Sequence, residues 1–255
     1  MSRTLIQQEG TQDNMAGLAT KPASPPRERA ARSAGAAAYF DRLYAAVNGE
    51  LGARVIEVGC GAGHFTRRLL GCEQVVALDP EPEKVARLLS DYGDRANLKA
   101  FSMEVTGARF RELAQYRPTS VVCLSGLERV EDHHRALFNM GSVLEPGGKI
   151  VLLVPAFPAL YGRIDFSLGA YRRYTKESLA ELAETVGLRV RQLRYSNVTG
   201  FFRWWFLSHI VGRVDPGLAE GEPGHGLIGR ALSRIEAWLP PPFGQSLFAV
   251  LEVPR

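Results

Sequence analysis

Residues 55–65 read VIEVGCGAGHF. A β-branched apolar run ends around an acid, Glu57, and then places glycines at Gly59, Gly61 and Gly63. No regular element continues through that spacing, because each glycine frees the backbone to take positive φ. The stretch reads as a strand that stops, a tight turn and a helix that starts. Bare main chain at such a turn lets a ligand touch backbone directly. Exposed N–H groups with a helix start behind them would favour a negative group there.

The following residues repeat the same order. RVIEV, QVVALD, LKAFSMEV, TSVVCLSG and KIVLLVP read as five short strands. AAAYFDRLYAAVNGELG, GHFTRRLLG, EPEKVARLLSDYG and EDHHRALFNMGSVLEPGG read as helices around them. Apolar strands alternating with amphipathic helices predict a parallel sheet covered on both faces. Right-handed crossovers then give an α/β, doubly wound fold. LRVRQLRY and SLFAVLEV add two alternating strands, for a seven-stranded sheet that is mostly parallel with an antiparallel last strand.

Residues 1–34, rich in Gln, Ala, Pro, Ser and Arg, are expected to form a disordered tail. Residues 35–255 then form a single domain with two insertions. Residues 155–175, AFPALYGRIDFSLGAYRRY and its flanks, read as an ordered loop or lid. Residues 198–245 read as a helical insertion, preceded by the capped helix TKESLAELAETVG and the strand that follows it.

The net charge of +4 is mixed along the chain, with no basic tail, so composition does not call for nucleic acid. Cys60, Cys72 and Cys123 form no C-x-x-C pair, which argues against zinc and against a disulfide framework. Cys60 and Cys123 read as small buried hydrophobes. No metal constellation is visible. The amino end lacks the apolar core of a secretory signal, and no apolar run spans a membrane; FFRWWFLSHIVG is interrupted by Arg203 and His209. A cytoplasmic location is expected. FFRWWF reads as a core stripe or as a wall for an apolar acceptor, and with Arg203 and Arg213 it could also rest weakly on a membrane surface.

The glycine spacing, E-x-G-x-G-x-G, is neither the dinucleotide G-x-G-x-x-G nor a phosphate loop. Here an acid precedes the turn, where it can meet a cationic ligand group. Asp79 ends the second strand, the place for an acid that bridges ribose hydroxyls.

VIEVGCGAGHF, VVALDP, SVVCLSGLERVED and LEPGGKIVLLVPA together resemble the successive motifs of class I S-adenosylmethionine-dependent methyltransferases, over roughly residues 36–190. The resemblance implies a Rossmann-like sheet, S-adenosyl-L-methionine as cofactor and S-adenosyl-L-homocysteine as product. It implies that Glu57 holds the methionine amino group and that Gly59, Gly61 and Gly63 line the methionine and ribose. Asp79 would take the ribose hydroxyls, with Pro80 against the adenine and Met103 and Glu104 at its edge. Leu124, Ser125 and Gly126 would supply backbone near the sulfonium. The later segments, LYGRIDFSLGAYRRYTKESL, GFFRWW and PPPFGQSL, resemble a bacterial subgroup often encoded beside glycosyltransferases or in natural-product pathways. That subgroup carries L-E-H and G-H-Y-R-R-Y; this chain has Leu127-Glu128-Arg129 and Gly169-Ala170-Tyr171-Arg172-Arg173-Tyr174, so both histidines are absent.

Glu128, after the fourth strand, is the first candidate for a general base; as a bland alternative it is an acid at a helix start. His133 and Tyr171 are further catalytic candidates. His133 and His134 also fit a solvated helix face. Tyr39, Tyr161, Arg172, Arg173 and Tyr174 are candidate substrate contacts. The two arginines could clamp an acceptor anion, or one could pair with Asp165 while the tyrosines pack. The expected reaction is in-line methyl transfer to a small-molecule acceptor, a natural product or a sugar or lipid intermediate, anionic or apolar. An RNA methyltransferase and a non-catalytic binder of an adenosyl ligand are the alternatives.

Overall fold

Five strands place apolar side chains on both faces, and that pattern decides the architecture. They are β1 (Arg54–Val58), β2 (Gln74–Asp79), β4 (Ser120–Leu124), β5 (Lys149–Pro155) and β7 (Ser246–Glu252). Ile56, Val58, Val76, Leu78, Val121, Cys123, Ile150 and Leu152 point into one buried cluster. Val55, Val75, Ala77, Val122, Val151 and Leu153 point into another. A strand apolar on both sides must be covered twice, so the sheet is sandwiched between helical layers. The computed structural model describes residues 26–198, 200, 201, 204 and 241–255, with side chains from Ala37 onward.

The sheet has seven strands in the order β3-β2-β1-β4-β5-β7-β6, with β3 at Leu98–Ser102 and β6 at Arg189–Ser196. β1, β2, β3, β4 and β5 are parallel. β7 runs antiparallel between β5 and β6. The last strand in sequence is therefore antiparallel as expected, but it is inserted beside β5 and leaves β6 as the edge. The exposed, charged side of RVRQLR suits that edge position.

One face is covered by α1 (Pro26–Val47), α2 (Thr66–Leu69) and α3 (Pro82–Tyr92), through Val47, Leu69 and Leu88. The other is covered by α4 (His133–Ser142), α6 (Lys176–Thr185) and a 3-10 helix at Ala108–Tyr116, through Leu137, Met140, Leu179, Leu182, Phe110 and Leu113. That 3-10 helix was not anticipated in the sequence; its two core residues are a weak signal. The strand order reverses between β1 and β4, which opens a crevice at their carboxyl ends.

One expectation needs correction at the amino end. Residues 26–34 are not a loose tail, because α1 already begins at Pro26. Proline at a first helical position and the alanine-rich run behind it favour that start. Residues 1–25 lie outside the described residues, as does most of 198–245. Of FFRWWF, Trp204 is described and is buried against Leu160 and Ile164, as a core residue.

Residues 155–175 form a folded lid. It contains a 3-10 turn at Pro158–Leu160 and a short helix, α5 (Arg163–Ser167), and its two ends are joined by a bridge between Ala156 and Tyr174. Thr175 then caps α6 by accepting a hydrogen bond from the Ser178 amide at 3.1 Å.

Leu152 is fully buried on central β5. Leu152→Ala should lower unfolding free energy by about 2–5 kcal/mol in a denaturant titration, with cofactor affinity retained.

Candidate functional site

β1 ends in the glycine turn, and all three glycines take positive φ: +81° at Gly59, +54° at Gly61 and +76° at Gly63. A side chain at Gly63 would strike Leu88 Cδ1 at 2.5 Å, so this glycine lets α3 pack closely. Gly59 and Gly61 differ: a Cβ on either would meet nothing within 4 Å. Their bare faces border open space at the crevice.

The amides of this turn are not free, which corrects one expectation. Gly59 N and Cys60 N both donate to Leu78 O at 2.8 Å, and Gly63 N donates to Cys60 O at 2.9 Å. Gly61 N donates to Asp79 Oδ2 at 2.9 Å. Those four amides are therefore not offered to an anion. Acids line it instead.

Glu57 and Asp79 stand on adjacent strands and are both buried. Asp79 is fixed by Gly61 N and by the Glu81 amide, which donates to Oδ1 at 3.0 Å. Each carboxylate oxygen retains further acceptor capacity. Glu57 is less settled. Its Oε2 is buried without a hydrogen-bond partner of good geometry among the described residues, and the buried Thr66 hydroxyl lies beside the carboxyl. Burial pushes the Glu57 carboxyl up to about 7; the Thr66 hydroxyl opposes that rise and the Asp79 charge adds to it. Thr66, in the first turn of α2, was missed in the sequence; its place just past the glycines was the available signal.

α1 roofs this region. Arg68 on α2 donates to Asp41 Oδ1 at 2.8 Å and to Ala37 O at 2.6 Å. Phe40 stacks on His64 at 5.5 Å, and half-buried Tyr39 lies edge-on to Phe40 at 5.3 Å. Across the crevice, Met103 is half-buried with its amide donating to Asp79 O at 3.1 Å, whereas Pro80 and Glu104 are exposed. Leu124 is half-buried at the end of β4. Ser125 is exposed and holds φ +56°, a strained conformation for a non-glycine residue, with its amide donating to Leu153 O at 2.8 Å.

Next comes a third buried acid. Glu128 lies in a 3-10 turn, Leu127–Arg129, with Oε2 unpartnered among the described residues. Burial pushes its carboxyl up to about 7 against the pull of Arg129 and Arg173. The lid is fastened to this turn: Tyr171 N donates to Glu128 O at 2.8 Å. Arg172 donates to Val130 O at 3.2 Å and to Glu131 O at 2.7 Å.

Several lid side chains are committed elsewhere than expected. Arg173 is not a free anion clamp: its Nε donates to Asp165 Oδ1 at 2.8 Å, with side chains 1% and 3% exposed. This is the Asp165 pairing held open as the alternative. Tyr174 is buried with its hydroxyl 3.0 Å from His133 Nδ1. Tyr161 donates to Ala170 O at 2.7 Å. Tyr161 and Arg173 bond within the lid, and Tyr174 ties the lid to α4. Burial, with Arg172 and His134 beside it, holds His133 down to about 4, so its ring is neutral and a weak base near neutral pH. Tyr171 is 53% exposed, with the Arg172 guanidinium 5.6 Å from its ring centre. Burial pushes the Cys60 and Cys123 thiols up to about 12, so neither is a thiolate at neutral pH.

Open glycine faces between buried acids suit a cationic adenosyl ligand better than a pyrophosphate. Residues 28–193 match the methyltransferase-domain family. The chain belongs to that family, in its class I S-adenosylmethionine-dependent form.

A ubiquinone biosynthesis O-methyltransferase of Xanthomonas euvesicatoria pv. vesicatoria (strain 85-10) is 39% identical to this methyltransferase over 109 residues. That match covers 40% of this chain and 42% of the relative. Geranyl diphosphate methyltransferase in complex with SAM superposes with a TM-score of 0.58 at 12% identity, over 85% of each chain. N-methyltransferase NodS from Bradyrhizobium japonicum WM9, in complex with S-adenosyl-L-homocysteine, gives a TM-score of 0.53 at 16% identity, over 90% of this chain and 89% of NodS. These two likenesses establish the fold. Among the described residues no helix is long and apolar enough to cross a membrane.

Glu57 and Glu128 both carry pKa values raised from 4.5 to about 7. The native state then binds more protons than the unfolded chain across that interval, so their stabilising contribution is full below about 4.5 and is lost as pH rises through about 7. Ligand-free protein should show a melting temperature that falls across this window. The Glu57→Gln, Glu128→Gln double variant should show a flatter profile.

Proposed function

We propose that this methyltransferase moves the methyl group of S-adenosylmethionine to a hydroxyl oxygen of a small-molecule acceptor, with Glu128 as the general base. The observation that carries the reading is the buried Glu128 carboxyl in the 3-10 turn that follows β4, whose Oε2 has no partner among the described residues. A carboxyl poised near 7 takes a proton efficiently at neutral pH. The relative's name, an O-methyltransferase, favours oxygen as the methylated atom.

When bound, the cofactor supplies an already activated methyl group. The chain's work is to align the acceptor, exclude water and accept the proton. Glu57 is the partner for the cofactor's ammonium group, and its unsatisfied oxygen is the vacancy that such a cation fills. Gly59 and Gly61 admit the methionine and ribose portions, for which their missing side chains leave room. Asp79 takes the ribose hydroxyls with the capacity that Gly61 N and Glu81 N leave over. Pro80, Met103 and Glu104 border the adenine, and Leu124 and Ser125 lie beside the sulfonium. Tyr39 and Tyr171 flank the acceptor's entrance. Arg172 acts from the lid by holding the loop after Glu128. The acceptor class fits a cytoplasmic intermediate of natural-product, sugar or lipid metabolism.

Gly61→Ala should weaken S-adenosylmethionine binding in calorimetry, because its Cβ meets no protein atom within 4 Å and enters ligand space, while the positive φ at this position costs about 1–3 kcal/mol of stability in a denaturant titration. Cofactor affinity in the parent should rise as pH climbs toward about 7, where Glu57 ionises, and Glu57→Gln should lose that dependence.

A panel of small phenols and aliphatic alcohols, with catechol as the first probe, tests the chemistry by mass spectrometry. Glu128→Gln should lower kcat roughly 10²–10⁴-fold with cofactor affinity kept. Parent-like turnover by that variant, or methylation of amines alone across the panel, would overturn the reading.

A further inference from the structure

Two buried carboxylates, Glu128 and Asp165, share the neighbourhood of one buried cation. Arg173 donates from Nε to Asp165 Oδ1 at 2.8 Å and from Nη1 to Ala156 O at 3.0 Å. Its guanidinium also lies over the Trp204 ring, 4.8 Å from the centre. The strand-like piece of lid that carries it is pinned at both ends. Tyr171 N donates to Glu128 O at 2.8 Å and Tyr174 N to Pro155 O at 2.9 Å. The cation is thus held at the carboxyl edge of β4 and β5, beside the turn that presents Glu128.

Among the described residues, the charged and titratable groups around Glu128 are few. Arg129 stands in its own turn and is exposed. Cys123 approaches from β4, and Asp165, Arg173 and Tyr174 from the lid. Arg173 is the buried cation among them, and Asp165 takes it directly while Glu128 Oε2 has no partner among the described residues. Direct capture of Arg173 by Glu128 would give a satisfied ion pair with little appetite for a proton.

We propose that Asp165 and Arg173 are positioning residues for Glu128: Asp165 holds the guanidinium off the Glu128 carboxyl, and the pair keeps that carboxyl in the crevice free to meet an acceptor hydroxyl. The electrostatics agree in sign. Arg173 eases ionisation of Glu128, Asp165 resists it, and burial outweighs both cations. A buried ion pair is weak evidence for a gain in stability, so a role in tuning its neighbour is the better reason for this one. The inference rests on Glu128 as the base, but its test needs no acceptor and no turnover.

Carbon-13 label at Cδ of glutamate, with the Glu128 signal assigned through Glu128→Gln, reports the ionisation midpoint of Glu128 in the full chain. The parent midpoint should lie near 7. Asp165→Asn removes a negative charge and releases Arg173, so the midpoint should fall. Arg173→Gln removes the positive charge, so the midpoint should rise. Arg173→Lys keeps the charge and should stay close to the parent. Opposite shifts in the first two variants are what simple loosening of the lid cannot produce. Should Arg173→Gln fail to fold, the near-isosteric Asp165→Asn decides alone. A midpoint that is unchanged or raised in Asp165→Asn, or that moves the same way in both variants, overturns the proposal. Failure of Glu128 as base would appear separately, as unchanged catechol methylation by Glu128→Gln.

Discussion

The hydrogen bonds from the glycine turn to the end of β2 set the character of the site. Gly59 N and Cys60 N share Leu78 O, and Gly61 N is held by Asp79. They consume three of the donors that a strand-to-helix turn otherwise offers to phosphate. What remains facing the crevice is bare Cα surface, with Glu57 and Asp79 buried on neighbouring strands. The same sheet geometry that often binds pyrophosphate is thereby turned toward a ligand with a positive centre. Fold alone does not make that choice; the direction of four amides and the placement of two acids do.

The second consequence concerns ionisation. Glu57 and Glu128 are enclosed, each leaving one carboxylate oxygen unsatisfied, and burial lifts both toward neutrality. An unpaired buried polar atom is costly, and such atoms collect where a ligand completes them. The two acids sit at the ends of β1 and β4, on either side of the strand-order reversal. On the proposed reading, one meets a cofactor cation and the other an acceptor proton. Arg172 holds the two residues that follow the Glu128 turn, while Arg173 is paired with Asp165.

Much of this was legible in the chain. The β-branched strands, the alternating helices and the E-x-G-x-G-x-G turn led to the sheet and its crevice, because side-chain period and glycine placement are local properties. Asp79 was legible from its distance beyond the glycines. The lid was recognisable as an ordered insertion, but the work of its residues was not. Arg173, Tyr174 and Tyr161 carry chemistry that suits an acceptor, yet each is spent on Asp165, His133 or Ala170. Thr66 and the 3-10 helix at Ala108–Tyr116 gave only faint signals, since their roles come from what packs against them.

By itself the sequence determined the periodicities, the turn that ends β1 and the residue types available at the sheet's carboxyl edge. These follow from backbone sterics and apolar patterning, which act over a few residues. Only the tertiary structure decided that β7 inserts between β5 and β6, that the amides of Gly59, Cys60, Gly61 and Gly63 are already satisfied, and that Glu57 and Glu128 are each enclosed with one oxygen unpartnered while Arg173 is paired with Asp165. Those outcomes depend on which groups are brought together across long stretches of chain. Burial and pairing, the quantities that set a side chain's charge, exist only once that packing is complete.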